Sequence, residues 1–312
     1  MKAGFEIYGD NRTYKRKRAI ALGFFDGVHI GHSRLLALTV RVASERGLSP
    51  AALTFDRHPV SVISGNPQPL LNTADDRRYI IGKYCGINDV IFARFDGDFM
   101  RVGWRDFIRH IVVGRYGAEY IIAGWDYRFG YKAEGTADFL AAEASALGIG
   151  CEIIPEVTLD GITVSSTFIR KLVADGNVER AARFLGHPHI LSGVVEHGNG
   201  FGRTLGIPTI NIKIPPEVQE PKRGVYASRV IWDSDRPSLP GVTNIGTKPT
   251  VTDSGEVLCE THIIGFDENL YGKLVRLELL KFIRPEIRFS NTDELRDNVL
   301  KDIETARSVA GI

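Results

Sequence analysis

The sequence is poor in cysteine, in net charge and in long apolar runs. Its three cysteines, Cys85, Cys151 and Cys259, stand far apart in 312 residues with no C-x-x-C pair. That excludes a disulfide framework and a cysteine zinc site, and it fits a reducing cytoplasm. A net charge of +1 gives no strong field for nucleic acid or a membrane surface. No apolar run approaches the roughly 20 residues that span a bilayer. Near the N-terminus, Lys15-Arg16-Lys17-Arg18 precedes an apolar stretch that Asp26 cuts short, which does not read as a signal peptide. The four basic residues read as a solvated strand edge, not as a nucleic-acid patch. Internal repeats and low-complexity tracts are absent. What remains is an ordinary globular composition, 43% hydrophobic and 25% charged, long enough for about two domains.

The most informative stretch is Gly23-Phe24-Phe25-Asp26-Gly27-Val28-His29-Ile30-Gly31-His32. A short buried strand, Ala19 to Leu22, leads into it. Ser33 to Arg46, with Leu35, Leu36, Leu38, Val42 and Ala43, gives a helical stripe after it. A strand, a glycine-bearing turn and a helix N-terminus make a seat for phosphate oxygens, because the first helical N–H groups lack intrachain partners. His29 and His32 add donors for charge developing on a phosphoryl group.

Ser49 to Phe55 reads as a second strand, ending in Asp56-Arg57-His58-Pro59 and completing a βαβ unit. Further helices begin at Ala74, at Trp104 and at Ala137. Strands follow over Asp89–Phe95, Glu119–Gly124 and Cys151–Ile154. The alternation predicts a doubly wound parallel sheet, with ligands beyond the carboxyl ends of the strands. Gly124-Trp125-Asp126-Tyr127-Arg128-Phe129-Gly130 lies at such an end. Ser165, Ser166 and Thr167 then cap a second anion-facing helix, on which Arg170 can donate two parallel hydrogen bonds to phosphate.

After Gly186-His187-Pro188 the texture changes to short alternating strands between glycines and prolines, which predicts an antiparallel barrel. The loop Gly198 to Gly206, with Gly202 and Arg203, is rich in glycine but lacks the Lys-Ser/Thr ending of a Walker loop. Thr209 and Asn211 alternate on the following strand, so both face one side and offer oxygen ligands to a hydrated Mg2+. Later come Asn244-Ile245-Gly246-Thr247-Lys248-Pro249-Thr250 and the strand Cys259 to Ile264, which carries one acid, Glu260.

These strings resemble, in order from about residue 19 to about residue 307, the bacterial bifunctional riboflavin kinase/FMN adenylyltransferases (FAD synthetases). His29-x-Gly31-His32 resembles the HxGH signature of nucleotidylyltransferases, and Pro208 to Asn211 the PTAN element of riboflavin kinases. Phe168, Ile210 and Gly265 depart from the family strings. The resemblance implies a Rossmann-like α/β nucleotidylyltransferase domain, residues 1–186, followed by an antiparallel β-barrel riboflavin kinase domain, residues 187–312. It implies ATP as co-substrate with Mg2+, and riboflavin, FMN and FAD as substrates and products, in a cytoplasmic enzyme without nucleic-acid or membrane partners.

By the same resemblance Gly23, Phe24, Asp26, Gly27, His29, His32, Ser165, Ser166, Thr167 and Arg170 would bind ATP for adenylyl transfer. Asp56, His58, Asp126 and Phe129 would meet the flavin. Gly198, Gly202, Arg203, Gly206, Thr209 and Asn211 would bind the kinase ATP. Glu260 would act as base on the ribityl hydroxyl.

Overall fold

The computed structural model describes residues 5–6, 16–198, 202, 206–233, 235–247 and 257–311. They divide into two compact units, Met1–Leu70 with Arg77–Ser166, and Leu71–Asp76 with Thr167–Ile312. Arg203 and Lys248 to Thr250 lie outside the described residues.

The first unit holds β1 (Phe5–Glu6), β2 (Arg18–Leu22), α1 (Ile30–Arg46), β3 (Ser49–Phe55), α2 (Pro59–Ser64) and most of α3 (Ala74–Cys85). It continues with β4 (Asp89–Ala93), α4 (Trp104–Asp106, prolonged by a π-helical stretch Phe107–Arg115), β5 (Ala118–Gly124), α5 (Ala137–Ala146) and β6 (Gly150–Ile154). Six parallel strands run in the order β1-β4-β3-β2-β5-β6. The chain starts a new direction between β2 and β5, and that reversal opens a crevice at the strand ends. All five residues of β2 are buried, as a central parallel strand covered on both faces requires.

Arg18 corrects the reading of a solvated basic edge. It begins β2 in the middle of the sheet and is 2% exposed. Its Nε meets Asp89 Oδ2 at 2.8 Å and its Nη1 donates to Tyr116 O at 3.0 Å. The pairing was invisible locally because Asp89 lies 71 positions away.

The second unit carries α6 (Ser166–Ala174) from its second residue onward, α7 (Val178–Leu185) and six antiparallel strands, followed by α8 (Thr292–Ala310). The strands are β9 (His189–Val194), β10 (Ile210–Lys213), β11 (Gly224–Ile231), β12 (Leu239–Thr247), β13 (Val257–Ile263) and β14 (Leu274–Arg284). In chain order between β6 and β9 comes a small hairpin in the first unit, β7 (Thr158–Leu159) with β8 (Ile162–Thr163). The barrel order is β10-β13-β12-β11-β14-β9, and the Glu196–Asn211 bridge nearly closes it, with Glu196 N donating to Asn211 O at 2.9 Å. Helix α8 packs over β11, β12 and β14. The buried Asp302 accepts from Arg284 Nη2 at 2.8 Å and pins the helix there.

Two of the family departures have local explanations. Phe168 packs edge-on against Phe184 at 4.9 Å, so it ties α6 to α7. Gly265 has φ +75°, a left-handed turn after β13 where an acidic side chain would be strained.

The barrel also buries His189 completely, with neither ring nitrogen hydrogen-bonded among the described residues. Burial, helped by His187, pushes its pKa down to about 3. In the unfolded chain a histidine titrates near 6.5. The unfolded state therefore binds the extra proton between those values. This contribution is intact above pH 6.5 and is lost as pH falls, by about 1.4 kcal/mol per pH unit. Hydrogen exchange at β14 amides, corrected for intrinsic rates, should show barrel opening becoming easier from pH 7.5 to 5. His189→Phe should flatten that slope, and an unchanged slope would contradict the assignment.

Candidate active sites

The first site is built on the turn between β2 and α1. Phe25 and Val28 both adopt left-handed backbone, φ 57° and 45°, flanking Gly27 at φ 75°. For a β-branched residue such as Val28 this is a strained conformation, of the kind retained where a turn must present groups to a ligand. Gly23 leaves room for the Phe25 ring, since a Cβ there would lie 2.8 Å from Phe25 Cε1. The Phe25 ring in turn meets His32 edge-on at 5.2 Å.

Helix α1 starts at Ile30, three residues earlier than periodicity placed it, because His29 is its N-cap. His29 Nδ1 accepts from the His32 N–H at 3.2 Å. That bond leaves Nε2 as the protonated nitrogen of neutral His29. The His29 and His32 rings stack with centroids 3.6 Å apart. Burial pushes His29 down to about 4. Burial, then the nearby His29 and Arg77 charges, hold His32 well below the usual histidine range. Both imidazoles are therefore neutral at physiological pH and act as hydrogen-bond donors, not as cations.

Gly31 lies beneath this pair. A Cβ there would approach His29 Nδ1 to 3.1 Å and Cε1 to 3.2 Å, so the ring must move by a few tenths of an ångström.

The structure brings several other expected residues to the same strand ends. Asp26 is 2% exposed, and its carbonyl accepts from Ser166 Oγ at 2.9 Å, which joins the serine pair to the histidine turn. Asp56 Oδ1 accepts from the backbone of Arg57 at 2.9 Å and of Phe95 at 2.8 Å, tying the end of β3 to the segment after β4. His58 caps α2 through Nδ1 and meets the Phe24 ring edge-on at 4.6 Å. Asp126 is exposed at the end of β5, beside β2 in the sheet. Phe129 is 6% exposed and packs against Phe107 at 5.4 Å and Tyr127 at 5.5 Å, at the base of that turn. Thr167 and Arg170 lie in the second unit, where Arg170 Nη2 donates to Thr167 Oγ1 at 3.0 Å.

Arg77 was not singled out from sequence. It is wholly buried, with Nη1 donating to Phe24 O at 2.8 Å and to Thr54 Oγ1 at 3.1 Å, and Nη2 to Phe55 O at 3.1 Å. Its only sequence signal was a cation following two acids at a helix start, which ordinarily marks a solvated face.

The second site lies on the barrel. Asn211, Glu260 and Asn244 are register partners on three adjacent strands, β10, β13 and β12, and so form one row on one face. They line a cavity of about 440 Å³ with Thr209, His262, Arg284, Glu286 and Phe289 among its walls. Asn244 Nδ2 donates to Glu286 Oε1 at 3.3 Å. A second cavity, of about 530 Å³, is lined by Pro208, Thr209, Phe266, Asn269 and Tyr271. Thr209 belongs to both. Gly198 and Gly202 come close to this wall: a Cβ at Gly198 would lie 2.3 Å from Asn211 Nδ2, and one at Gly202 2.4 Å from Ile207 O. Gly206 turns at φ +73°.

Asn211 is 7% exposed, and its Oδ1 is buried with no hydrogen-bond partner among the described residues. With the Thr209 hydroxyl it makes a hard-oxygen pair that fits Mg2+. No group of three or more His, Cys, Asp or Glu suited to a metal occurs among the described residues.

Comparison with known proteins agrees with this layout. The FAD synthetase family model matches residues 11–168, and the riboflavin kinase family model matches residues 185–310. The bifunctional riboflavin kinase/FMN adenylyltransferase of Escherichia coli strain K12 is 36% identical over 297 residues, covering 94% of this chain and 93% of that protein. The protein of the same name from Bacillus subtilis strain 168 is 31% identical over 294 residues, 93% of this chain and 92% of its own. A crystal structure described as a macrolide-efflux protein from Streptococcus pneumoniae shares the fold with a TM-score of 0.83 at 28% identity, over 97% of this chain and 98% of that one. Among the described residues no helix is long and apolar enough to cross a membrane. By both family matches and by near full-length identity to its relatives, the chain belongs to the bifunctional riboflavin kinase/FMN adenylyltransferases.

Proposed function

We propose that the chain makes FAD from riboflavin in two ATP-dependent steps, dividing functionally near residue 186. The observation that carries this is the presence of two separately built sites, the neutral histidine pair on the first sheet and the Asn211-Glu260-Asn244 row on the barrel.

In the barrel, the riboflavin 5′-hydroxyl attacks the γ-phosphorus of ATP. The new O–P bond replaces the bond to the β-phosphate oxygen, and ADP leaves. Glu260 takes the hydroxyl proton. Thr209 and Asn211 would hold Mg2+, which when bound neutralises phosphate charge and aligns the transfer. We assign the 440 Å³ cavity, with Glu260 and the Phe289 ring, to the flavin and the cavity along Phe266 and Tyr271 to the nucleotide. A phosphoryl group at Thr209 is then within reach of both cavities.

On the first sheet, an FMN phosphate oxygen attacks the α-phosphorus of a second ATP, and pyrophosphate leaves. No proton needs to move in this step. The His29 and His32 N–H groups, the helix end at Ser165, Ser166 and Thr167, and Arg170 donate to the oxygens on which charge develops. Gly23, Phe24, Asp26 and Gly27 shape the ATP seat, while Asp56, His58 and Asp126 border the flavin, with Phe129 supporting the Asp126 turn from beneath. In the barrel, Gly198, Gly202, Arg203 and Gly206 would cover the kinase ATP.

The reaction is that of a cytoplasmic enzyme with small-molecule partners and no nucleic acid, and the three unpaired cysteines suit that compartment. Product analysis tests the two-step scheme. Starting from riboflavin, each FAD should be accompanied by one ADP and one pyrophosphate; starting from FMN, by pyrophosphate alone. Flavin binding without ATP consumption would instead indicate a regulator.

A further inference from the structure

We propose that Arg77 is a positioning residue for adenylyl transfer: by bracing the carboxyl ends of β2 and β3 it fixes the turn from which His29 and His32 are presented. The inference rests on assigning adenylyl transfer to that turn.

Arginine is rarely buried without a carboxylate directly bonded to it, and removing it from water is costly. Here the guanidinium is fully buried, and its hydrogen bonds go to two carbonyls and a hydroxyl, those of Phe24, Phe55 and Thr54. Phe24 O is held twice, since Thr54 Oγ1 also donates to it at 2.8 Å. The Phe24 ring lies against the guanidinium at 4.4 Å, a cation–π contact, and the nearby Asp26 and Asp56 favour its charge. Burial lowers Arg77 only to about 10, so it stays charged.

The braced atoms are the first residues of the strained turn. Phe24 immediately precedes Phe25 and leads within four residues to Val28, the two left-handed positions. Such strain persists only where surrounding contacts over-determine it. Arg77 supplies one of those contacts directly, at Phe24 O, from a helix 53 positions away, and ties it through Thr54 and Phe55 to the end of β3. A planar fork can meet two carbonyls at once, which a lysine ammonium cannot do with the same geometry.

The charge has a second effect. Burial first, and then the His29 and Arg77 charges, disfavour protonation of His32. Removing the Arg77 charge therefore raises the pH at which His32 takes a proton, and an acid limb of FAD formation set by that ring moves to higher pH with it.

The test compares Arg77→Met and Arg77→Lys in the full chain, with His32→Ala alongside. Rates of FAD formation from FMN are read across pH, with kcat and KM separated, and FMN formation from riboflavin is read in parallel. Arg77→Met should lower kcat for FAD formation by about a hundredfold, the scale of a misplaced catalytic constellation. KM should change little, FMN formation should persist, and the acid limb should move up. Arg77→Lys should recover part of kcat and keep the acid limb in place. The proposal is overturned if Arg77→Met leaves kcat and the pH profile unchanged, or if Met and Lys variants lose rate equally with no shift. Should Arg77→Met fail to fold, the Lys variant alone decides, by partial loss confined to FAD formation or by none. Full FAD formation by His32→Ala would reject the site assignment itself, separately from the role of Arg77.

Discussion

Glu260→Gln should reduce FMN formation from riboflavin by about a thousandfold, within the range for losing a positioned general base. FAD formation from supplied FMN should be unaffected. Glu260 stands between Asn211 and Asn244 in the strand register, on the wall of the 440 Å³ cavity. Glutamine preserves the shape and removes only the capacity to take the proton. The loss should fall on kcat more than on KM for riboflavin, because the proton moves only as the phosphoryl group transfers. Were Glu260 merely an exposed strand residue, the substitution would change stability by less than about 0.5 kcal/mol and leave the rate intact. Single-turnover FMN formation measures the difference directly.

His32→Ala should show the mirror image, a loss of about a hundredfold in FAD formation with FMN formation spared, the scale for one preorganised donor. The argument is geometric first. His32 stacks on His29 at 3.6 Å and meets Phe25 edge-on at 5.2 Å, so its orientation is fixed before any ligand arrives. Both rings are neutral, which makes their contribution that of aligned N–H dipoles. FAD formation should accordingly show little pH dependence from these histidines between pH 6 and 8, because His29 titrates near 4 and His32 well below the usual range. Equal loss of both activities in a folded His32→Ala protein would count against separate sites.

These two sites differ from the rest of the molecule in how far the sequence reveals them. His29, Gly31 and His32 lie within one turn, and their spacing already specifies that they share a helix start. Thr209 and Asn211 alternate on one strand and so declare their common face. What placed Glu260 beside Asn211 was strand register, a long-range fact that the family strings carried and local periodicity did not.

Arg18, Arg77 and Phe129 were less legible for the same reason. Arg18 reads as a solvated cation until Asp89 and the carbonyl of Tyr116 are brought to it. Arg77 reads as the exposed start of a helix until β2 and β3 end against it. Phe129 reads as an aromatic at the carboxyl end of a strand, and its ring packs among Phe107 and Tyr127. A charge viewed along the chain suggests solvent; tertiary packing places Arg18 and Arg77 otherwise. Helix α2 and the π-helical stretch after α4 were also not anticipated. The first is a six-residue helix held by its His58 cap, and the second departs from the 3.6-residue period that pattern reading assumes.

The central claim is that one chain carries two sequential activities at two sites. The most direct measurement is a chromatographic time course with riboflavin, ATP and Mg2+, repeated with FMN as the starting flavin. The account predicts that FMN appears first and FAD follows in the former, and that FAD forms without a lag in the latter. FMN accumulating with no FAD in either arm, or FAD from FMN with no conversion of riboflavin, would leave one site inactive and contradict it.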